Sequence, residues 1–219
     1  MNLIKNNRGH ISILMIWLLL LTGLIIVFSV NIMGAFAVKQ QASTASQQAA
    51  LTATDIVYDY TLDGVKKYDE TLIGIGKGLI EGKSIEKKIQ DRKEEYVWNS
   101  DVSESKALRL SVNEVLIEEI PGNDKLKDAI KKEVNNAVNE IPGNVSSKLS
   151  SNSVSSSDYK VKLFDNDQRV VIEGTGKFNS VEADNFIGSF TKNIKQVSKG
   201  PRIPFIKELD FNNQIISSN

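Results

Sequence analysis

An apolar stretch without a charged residue dominates the start of the chain, from Ile11 to Val30. Uncharged sequence continues beyond it to Ala37, and the polar or small interruptions within it are Ser12, Thr22, Gly23 and Ser29. About 20 helical residues cross a hydrocarbon core of roughly 30 Å. The stretch therefore predicts a transmembrane helix over residues 11–33, preceded by a short tail of residues 1–10.

A cleaved export signal is the alternative interpretation of this stretch. Ala35-Phe36-Ala37 has the small-x-small form of a cleavage site, which would leave Val38 as the first residue of a secreted protein. The apolar run is longer than the roughly 7–15 residues typical of such a signal, and the residues after Ala37 continue a helical pattern. Both features favour a span that stays with the protein.

The charges on either side of the span predict its orientation. Lys5 and Arg8 precede the span with no acidic residue beside them, and Lys39 is the first charged residue after it. The positive-inside rule then places the tail in the cytoplasm and the remainder of the chain outside. We expect a single-pass protein of the cell membrane whose C-terminal region is extracytoplasmic.

A pattern with helical spacing follows the span over residues 34–70. Small or apolar side chains recur at steps of four and three and so share one helical face: Val38, Ala42, Ala45, Ala49, Thr52 and Ile56. Small side chains let a neighbouring element approach closely. This face, called the alanine stripe below, is a candidate packing surface, either for another protein or for the chain's own domain. The spacing does not separate these two interpretations.

Residues 71–145 have the pattern of a helical region. The stretch GIGKGLIEGK, from Gly74 to Lys83, contains four glycines and predicts a loop or hinge. Asp101 and Glu104 have the spacing of a capping box at a helix start. Helices are predicted from Ser84 to Tyr96, from Asp101 or Ser103 to Pro121-Gly122, and from Asn123 or Asp124 to Pro142-Gly143.

The pattern changes after a serine-rich stretch, residues 146–158, which predicts a flexible linker. Apolar and polar residues then alternate on both sides of the polar turn at Asp165–Gln168, which predicts a β-hairpin. A short helix over Asn185–Ile194 and a last strand over Arg202–Phe211 complete the β-rich region, residues 159–219.

These elements together predict an α+β fold. A transmembrane helix continues into a long extracytoplasmic helix, a helical middle follows, and a small antiparallel β-sheet forms the C-terminal part. A sheet of three strands is stable only when another element covers its apolar face, so we expect it to pack on a helix. Whether the helical and β-rich regions share one core is left open by the pattern.

Composition narrows the classes of function. The chain has no cysteine and a single histidine, His10 at the membrane edge, which excludes a disulfide framework, a zinc knuckle and a histidine-based triad outside the membrane. A net charge of zero gives no attraction to nucleic acid. Ser103 and Lys106 have S-x-x-K spacing, but neither S-D-N nor K-T-G follows. We predict no enzyme, no cofactor or metal, and no nucleic-acid or small-molecule partner.

The N-terminal quarter of the chain resembles a known family. An Arg8-Gly9 pair, the apolar stretch, and a polar helix that ends in ASTASQQAALTAT, from Ala42 to Thr54, resemble the N-terminal segment of TadE/TadG-like pilus assembly proteins of the tight-adherence (Tad, or Flp) systems. The resemblance covers residues 8–55. It implies a bacterial surface machine, partners among other membrane or pilin-like subunits, and possible processing between Gly9 and His10.

The chain departs from that family where its members carry acidic residues. Leu14, Asn31 and Gln47 stand at those positions. A glutamate inside an apolar span is costly in lipid unless it meets a partner charge, so its absence at Leu14 removes a reason to assemble into a filament. The sequence therefore favours an anchored structural or accessory component of a Tad-like pilus or related secretion machine. A membrane-anchored binding or sensor domain unrelated to pili and a secreted protein released after Ala37 are the alternatives.

Overall fold

The computed structural model describes residues 8–152, 154, 158–181, 191–211 and 214–217. Helices come first along the chain and strands follow, in the α+β layout that the sequence predicts. The helices are α1 (Arg8–Asp69), α2 (Leu72–Glu81), α3 (Ile85–Asn99), α4 (Glu104–Glu119) and α5 (Asp124–Ser151). The strands are β1 (Tyr159–Leu163), β2 (Arg169–Asn179), β3 (Thr191–Arg202) and β4 (Gln214–Ser217), with a 3₁₀ helix (Pro204–Leu209) between β3 and β4.

Helix α1 is one continuous helix of 62 residues, so the predicted span and its extension form a single element. At 1.5 Å per residue it is about 90 Å long. Lys66 and Lys67 lie in its last turn, where positive charge interacts favourably with the helix dipole. Its N-terminal part projects away from the domain, and its C-terminal part forms the centre of the domain.

The prediction of a loop or hinge from Gly74 to Lys83 is wrong, because most of this stretch is helix α2. Thr71 caps the helix by accepting a hydrogen bond from the backbone N–H of Gly74, at 3.1 Å. Gly82, with φ of +77°, ends it in the left-handed conformation that favours glycine. The interior glycines weaken helix propensity, but the two defined ends and contacts with neighbouring helices outweigh that cost.

Helices α3 and α4 confirm the sequence prediction, with one difference at a cap. Ser84 caps α3 through the N–H of Lys87, at 3.2 Å. The residue before α4 is Ser103, whose side chain makes no capping bond, so the predicted capping box of Asp101 and Glu104 does not form. Pro121 and Gly122 follow α4, and the φ of +80° at Gly122 shows why glycine stands there.

The prediction that α5 ends at Pro142-Gly143 is wrong. The helix continues through Pro142 to Ser151, so residues 146–151 are helical and the predicted linker does not begin at 146. Proline removes one backbone hydrogen bond, but packing beyond it outweighs the loss. Ile141, Val145 and Leu149 lie at steps of four on one face and are fully buried.

The strands form one antiparallel sheet in the order β3-β2-β1-β4. The predicted hairpin is confirmed, with Val161 of β1 opposite Ile172 of β2. The predicted last strand is corrected. Residues Arg202–Phe211 do not form the last strand, because Pro204 starts a 3₁₀ helix that buries Phe205, Ile206 and Leu209; β4 is the last strand instead.

The predicted short helix over Asn185–Ile194 is wrong where it can be compared with the structure. Residues 185–190 lie outside the described residues, and Thr191–Ile194 belong to strand β3. Ile194 lies opposite Gly176 of β2, so backbone pairing with the neighbouring strand takes precedence over local helix propensity.

One cluster of buried side chains joins the helical and β-rich regions. It includes Ala45 and Val57 of α1, Leu116 of α4, Ile130 of α5 and Ile172 of β2. Helix α1 contacts α5 on one side and β2 and β3 on another. The two regions that the sequence left open therefore share a single core around the C-terminal part of α1.

The polar turn between β1 and β2 is held by hydrogen bonds to Asp165. Its carboxylate accepts hydrogen bonds at 3.0 Å from the Lys199 ammonium and from the backbone N–H groups of Asp167 and Arg169. Burial alone would raise the pKa of the Asp165 carboxyl, but these donors outweigh burial and bring that pKa below its usual value.

Replacing Asp165 with asparagine should lower the free energy of unfolding at pH 7 by about 1–2 kcal/mol, because a charge-assisted hydrogen bond is lost. Since the pKa of Asp165 is lower in the folded state, its contribution is present above about pH 4 and is lost as pH falls further. Urea unfolding of the full chain in lipid nanodiscs at pH 7 and pH 3 checks this. Asp167→Asn, at a carboxylate that is 61% exposed, is the control and should change little. An equal effect of both variants would contradict the prediction.

Candidate functional site

The exposed apolar part of α1 is the first functional feature of the structure. From Ile11 to Phe36 its large apolar side chains are 40–74% exposed, apart from the partly buried Val27. Among the described residues, α1 is the one helix whose length and composition suffice to cross a membrane. Such a surface is unfavourable in water and favourable in lipid, so this part of α1 is a candidate membrane span.

The span meets the domain at Asn31. The side chain of Asn31 is only 8% exposed and forms two hydrogen bonds with the backbone of Val181, which follows β2. The amide nitrogen of Asn31 donates to the Val181 carbonyl at 3.3 Å, and the Val181 N–H donates to the Asn31 side-chain oxygen at 2.7 Å. Three residues further along α1, Gly34 lies directly beneath the ring of Phe178.

These contacts place the end of β2 beside the C-terminal end of the candidate span. They also give Asn31 a structural role, because its side-chain amide is hydrogen-bonded to the backbone of the same chain. Asn31 therefore joins the apolar segment of α1 to the sheet.

Beyond the junction, the alanine stripe packs inside the protein. Ala42, Ala45 and Ala49 are fully buried, whereas Val38, Thr52 and Ile56 are partly buried. Of the two interpretations of the stripe, packing within the domain accounts for the three buried alanines, whose side chains are not accessible to another protein.

Glycines on the strands complete this contact. A Cβ atom on Gly176 would lie 2.8 Å from a Val38 methyl and 3.3 Å from the Ala42 Cβ. A Cβ atom on Gly200 would lie 2.2 Å from the Thr54 hydroxyl oxygen. Small residues on α1 and glycines on β2 and β3 thus allow the sheet to lie almost against the helix backbone.

The buried face of α1 is wider than the stripe that spacing alone identified. Five further alanine, serine or threonine residues are fully buried on the same helix: Ser46, Ala50, Ala53, Thr54 and Thr61. Serine and threonine at helical spacing are also typical of an exposed face, so the sequence did not indicate that these serine and threonine side chains are buried. Hydrogen bonds within the helix allow such burial, as in the bond from the Thr54 hydroxyl to the Ala50 carbonyl at 2.8 Å.

Polar contacts fix the other elements to α1. The Lys67 ammonium lies 2.8 Å from the buried Glu133 carboxylate of α5, and this hydrogen bond lowers the pKa of Glu133. The Tyr58 hydroxyl is bonded to the Asn113 side chain of α4 and to the Arg202 carbonyl of β3. Burial raises the pKa of Tyr58 to about 12, so the hydroxyl remains protonated as the donor that these contacts need.

The remaining candidate positions lie in other parts of the chain. Gly9 and His10 lie in the first turns of α1. Ser103 precedes α4, and its hydroxyl lies 3.5 Å from that of Ser105. Among the residues that the structure describes, no group of three histidine, aspartate or glutamate side chains is placed to hold a metal ion.

Comparison with known protein families, with curated proteins and with solved structures finds no match for this chain. The resemblance of residues 8–55 to TadE/TadG-like proteins therefore stays a prediction. The features available for a functional proposal are the candidate span, its junction with the sheet, and the domain built around the same helix.

Proposed function

We propose that this chain is a single-pass, membrane-anchored structural or accessory component of a Tad-like pilus or a related surface secretion machine. Residues 11–33 would cross the bilayer with the N-terminus in the cytoplasm, and the α+β domain would stand outside. The observation that carries the proposal is the continuity of α1. One helix supplies both the exposed apolar segment and the centre of the domain core.

That continuity suits a mechanical role. A flexible linker between anchor and domain would let the domain move independently, as many tethered binding modules do. Here the Asn31–Val181 hydrogen bonds and the close packing of Gly34 on Phe178 join the domain to the helix at the end of the span. The domain is thereby held at a defined distance and orientation relative to the bilayer, as a scaffold requires.

The same contacts favour anchoring over release after Ala37. The Ala37–Val38 bond lies in the interior of α1, whereas proteases generally cleave exposed, extended segments. Cleavage there would also remove Asn31 and Gly34, both of which contact the sheet. A released domain would expose the Phe178 ring that Gly34 now covers.

Anchoring is tested by introducing charge into the span. Leu20→Lys combined with Leu21→Lys should move most of the protein out of the carbonate-washed membrane fraction, because each lysine at the centre of a span costs about 2.5–3.5 kcal/mol. Gln40→Lys with Gln41→Lys, beyond the span, is the matched control and should remain in the membrane. Wild-type protein found wholly in the soluble fraction would contradict the proposal.

Orientation and partners need separate measurements. A protease added to spheroplasts should cleave the domain while leaving a membrane-protected fragment that contains residues 11–33. Mild-detergent extracts of cells that produce a Tad-like machine should yield the protein together with other components of that machine. Purification of the protein alone under conditions that keep the machine intact would count against the pilus assignment, but not against anchoring.

A further inference from the structure

Helix α2 has its apolar residues on the outside. Its five large apolar side chains are 49–90% exposed: Leu72, Ile73, Ile75, Leu79 and Ile80. The side that faces the protein carries Gly74, Lys77, Gly78 and Glu81 instead. Gly74 adjoins the end of α1 at Tyr68 and Asp69, and Gly78 lies beside Ser84. A helix that packed only on its own domain would have the opposite arrangement.

Charge pairs hold α2 in this orientation. The Lys77 ammonium lies 2.7 Å from the Glu119 carboxylate at the end of α4. Glu81 pairs with Lys88 of α3, and Lys88 also pairs with Glu119. The ionic contacts therefore direct the polar side of α2 towards the protein and leave the apolar side to water. Exposed apolar residues concentrated on one face typically mark an interaction surface.

The bilayer that holds the span does not cover this face. Helix α2 begins after the far end of α1, and the 39 helical steps between Val30 and Asp69 extend about 58 Å at 1.5 Å per step. The apolar face of α2 thus lies well beyond the headgroup region of the same membrane, and its occupant must be another surface at that height.

We propose that the apolar face of α2 is a homodimer interface, covered by the same face of a second copy. Its exposed side chains offer on the order of 500 Å² per copy, so two faces in contact would bury about 1,000 Å², the lower limit for a specific interface. The distance of α2 from the membrane supports a second copy as the occupant. Two chains anchored in one bilayer carry α2 at the same distance from it, an argument that rests on the anchoring proposed above.

The face is also complementary to itself. Gly76 lies at the centre of the exposed arc, on one line with Leu72 and Ile80, and a Cβ atom added there would meet nothing within 4 Å. This depression lets the two α2 helices cross closely, with Gly76 of each copy beside Gly76 of the other, as a twofold axis through the centre of the face requires. Confinement to the same membrane raises the effective concentration and favours an interface of this modest size.

The experiment measures the oligomeric state of the full chain in detergent micelles by light scattering, with the detergent mass subtracted. Wild type should contain two copies of the 24.2 kDa chain. Leu79→Lys combined with Ile80→Lys should weaken dimerisation by about 100-fold or more, because two ammonium groups would be brought into an apolar contact. Leu51→Lys with Ile117→Lys, at exposed apolar residues of α1 and α4, is the matched control and should remain dimeric.

A cysteine variant tests the contact directly, because the natural chain contains no cysteine. Gly76→Cys should form a disulfide-linked dimer in native membranes under mild oxidation, whereas Ser105→Cys on α4 should not. A monomeric wild type, a dimer that persists in Leu79→Lys with Ile80→Lys, or linkage of Gly76→Cys only to a different protein would each overturn the proposal. Loss of membrane retention would overturn the anchoring proposal. The light-scattering measurement in micelles would still show whether the chain is a dimer.

Discussion

Replacing Gly64 with alanine should destabilise the protein by about 2 kcal/mol, although alanine is the better helix former by about 1 kcal/mol. Gly64 is buried where α1 crosses α5. A Cβ atom there would lie 2.8 Å from the Ile130 Cα and 3.2 Å from the Ala129 carbonyl oxygen. Both are backbone atoms that cannot rotate away, so the helices would have to separate and the packing around them would loosen.

The control for this prediction is Gly143→Ala in α5. Gly143 is exposed, and a Cβ atom there would meet nothing within 4 Å. Helix propensity then acts alone and should stabilise the protein by about 0.5–1 kcal/mol. Urea unfolding of the full chain in nanodiscs, followed by tryptophan fluorescence and circular dichroism, measures both variants. Changes of the same sign would show that α1 and α5 are not in close contact at Gly64.

Replacing Phe205 with alanine should be the most destabilising of the changes considered, at about 3–5 kcal/mol. Phe205 is fully buried in the 3₁₀ helix, and its ring meets the Tyr58 ring edge to face, with centroids 5.9 Å apart. Its removal would leave a cavity beside Tyr58 of α1, whose hydroxyl holds α4 and β3 together. We expect lower cooperativity as well as a lower unfolding midpoint.

Phe211→Ala is the matched control for that experiment. Phe211 is only partly buried and contacts Phe164, with ring centroids 5.2 Å apart. Partial exposure reduces the apolar area lost, so the cost should be about 1–2 kcal/mol. If Phe205→Ala is no more destabilising than Phe211→Ala, the 3₁₀ helix does not contribute to the core as the structure indicates.

The tests of function and the tests of packing concern the same helix. Residues 11–30 of α1 are largely apolar and exposed, and residues from Asn31 onward carry the domain. A variant that weakens the contact of α1 with α5, such as Gly64→Ala, should therefore leave membrane retention unchanged while loosening the domain. Lysines introduced into the apolar segment should reduce membrane retention while leaving the packing of the domain unchanged. The two kinds of variant therefore separate anchoring from folding.

The long apolar helix, its continuation through α1, the helices α3 and α4, and the β1–β2 hairpin were all predictable from local pattern. Each depends on the residues within it: an apolar run long enough to cross a bilayer, apolar residues at helical spacing, or alternation on both sides of a polar turn. The α+β class followed from their order. For these elements, short-range propensity and burial favour the same conformation.

Other elements depend on contacts that are distant along the chain. The helix through Pro142 is maintained because Val145 and Leu149 are buried beyond it, and Pro204 starts a 3₁₀ helix because Phe205 fits against Tyr58. Glycines in α2 signalled a loop, yet ion pairs from Lys77 and Glu81 to other helices hold it helical. Local sequence does not specify which distant residues supply these partners.

The alanine stripe shows the same division. Its spacing identified a face on which something packs closely, and small side chains made close packing possible. The identity of the packed element depended on Gly176 and Gly200, which are more than 100 residues away in the chain and meet α1 only after the sheet has formed. Periodicity is a property of one element, whereas the choice between a partner and the chain's own sheet is a property of the assembled core.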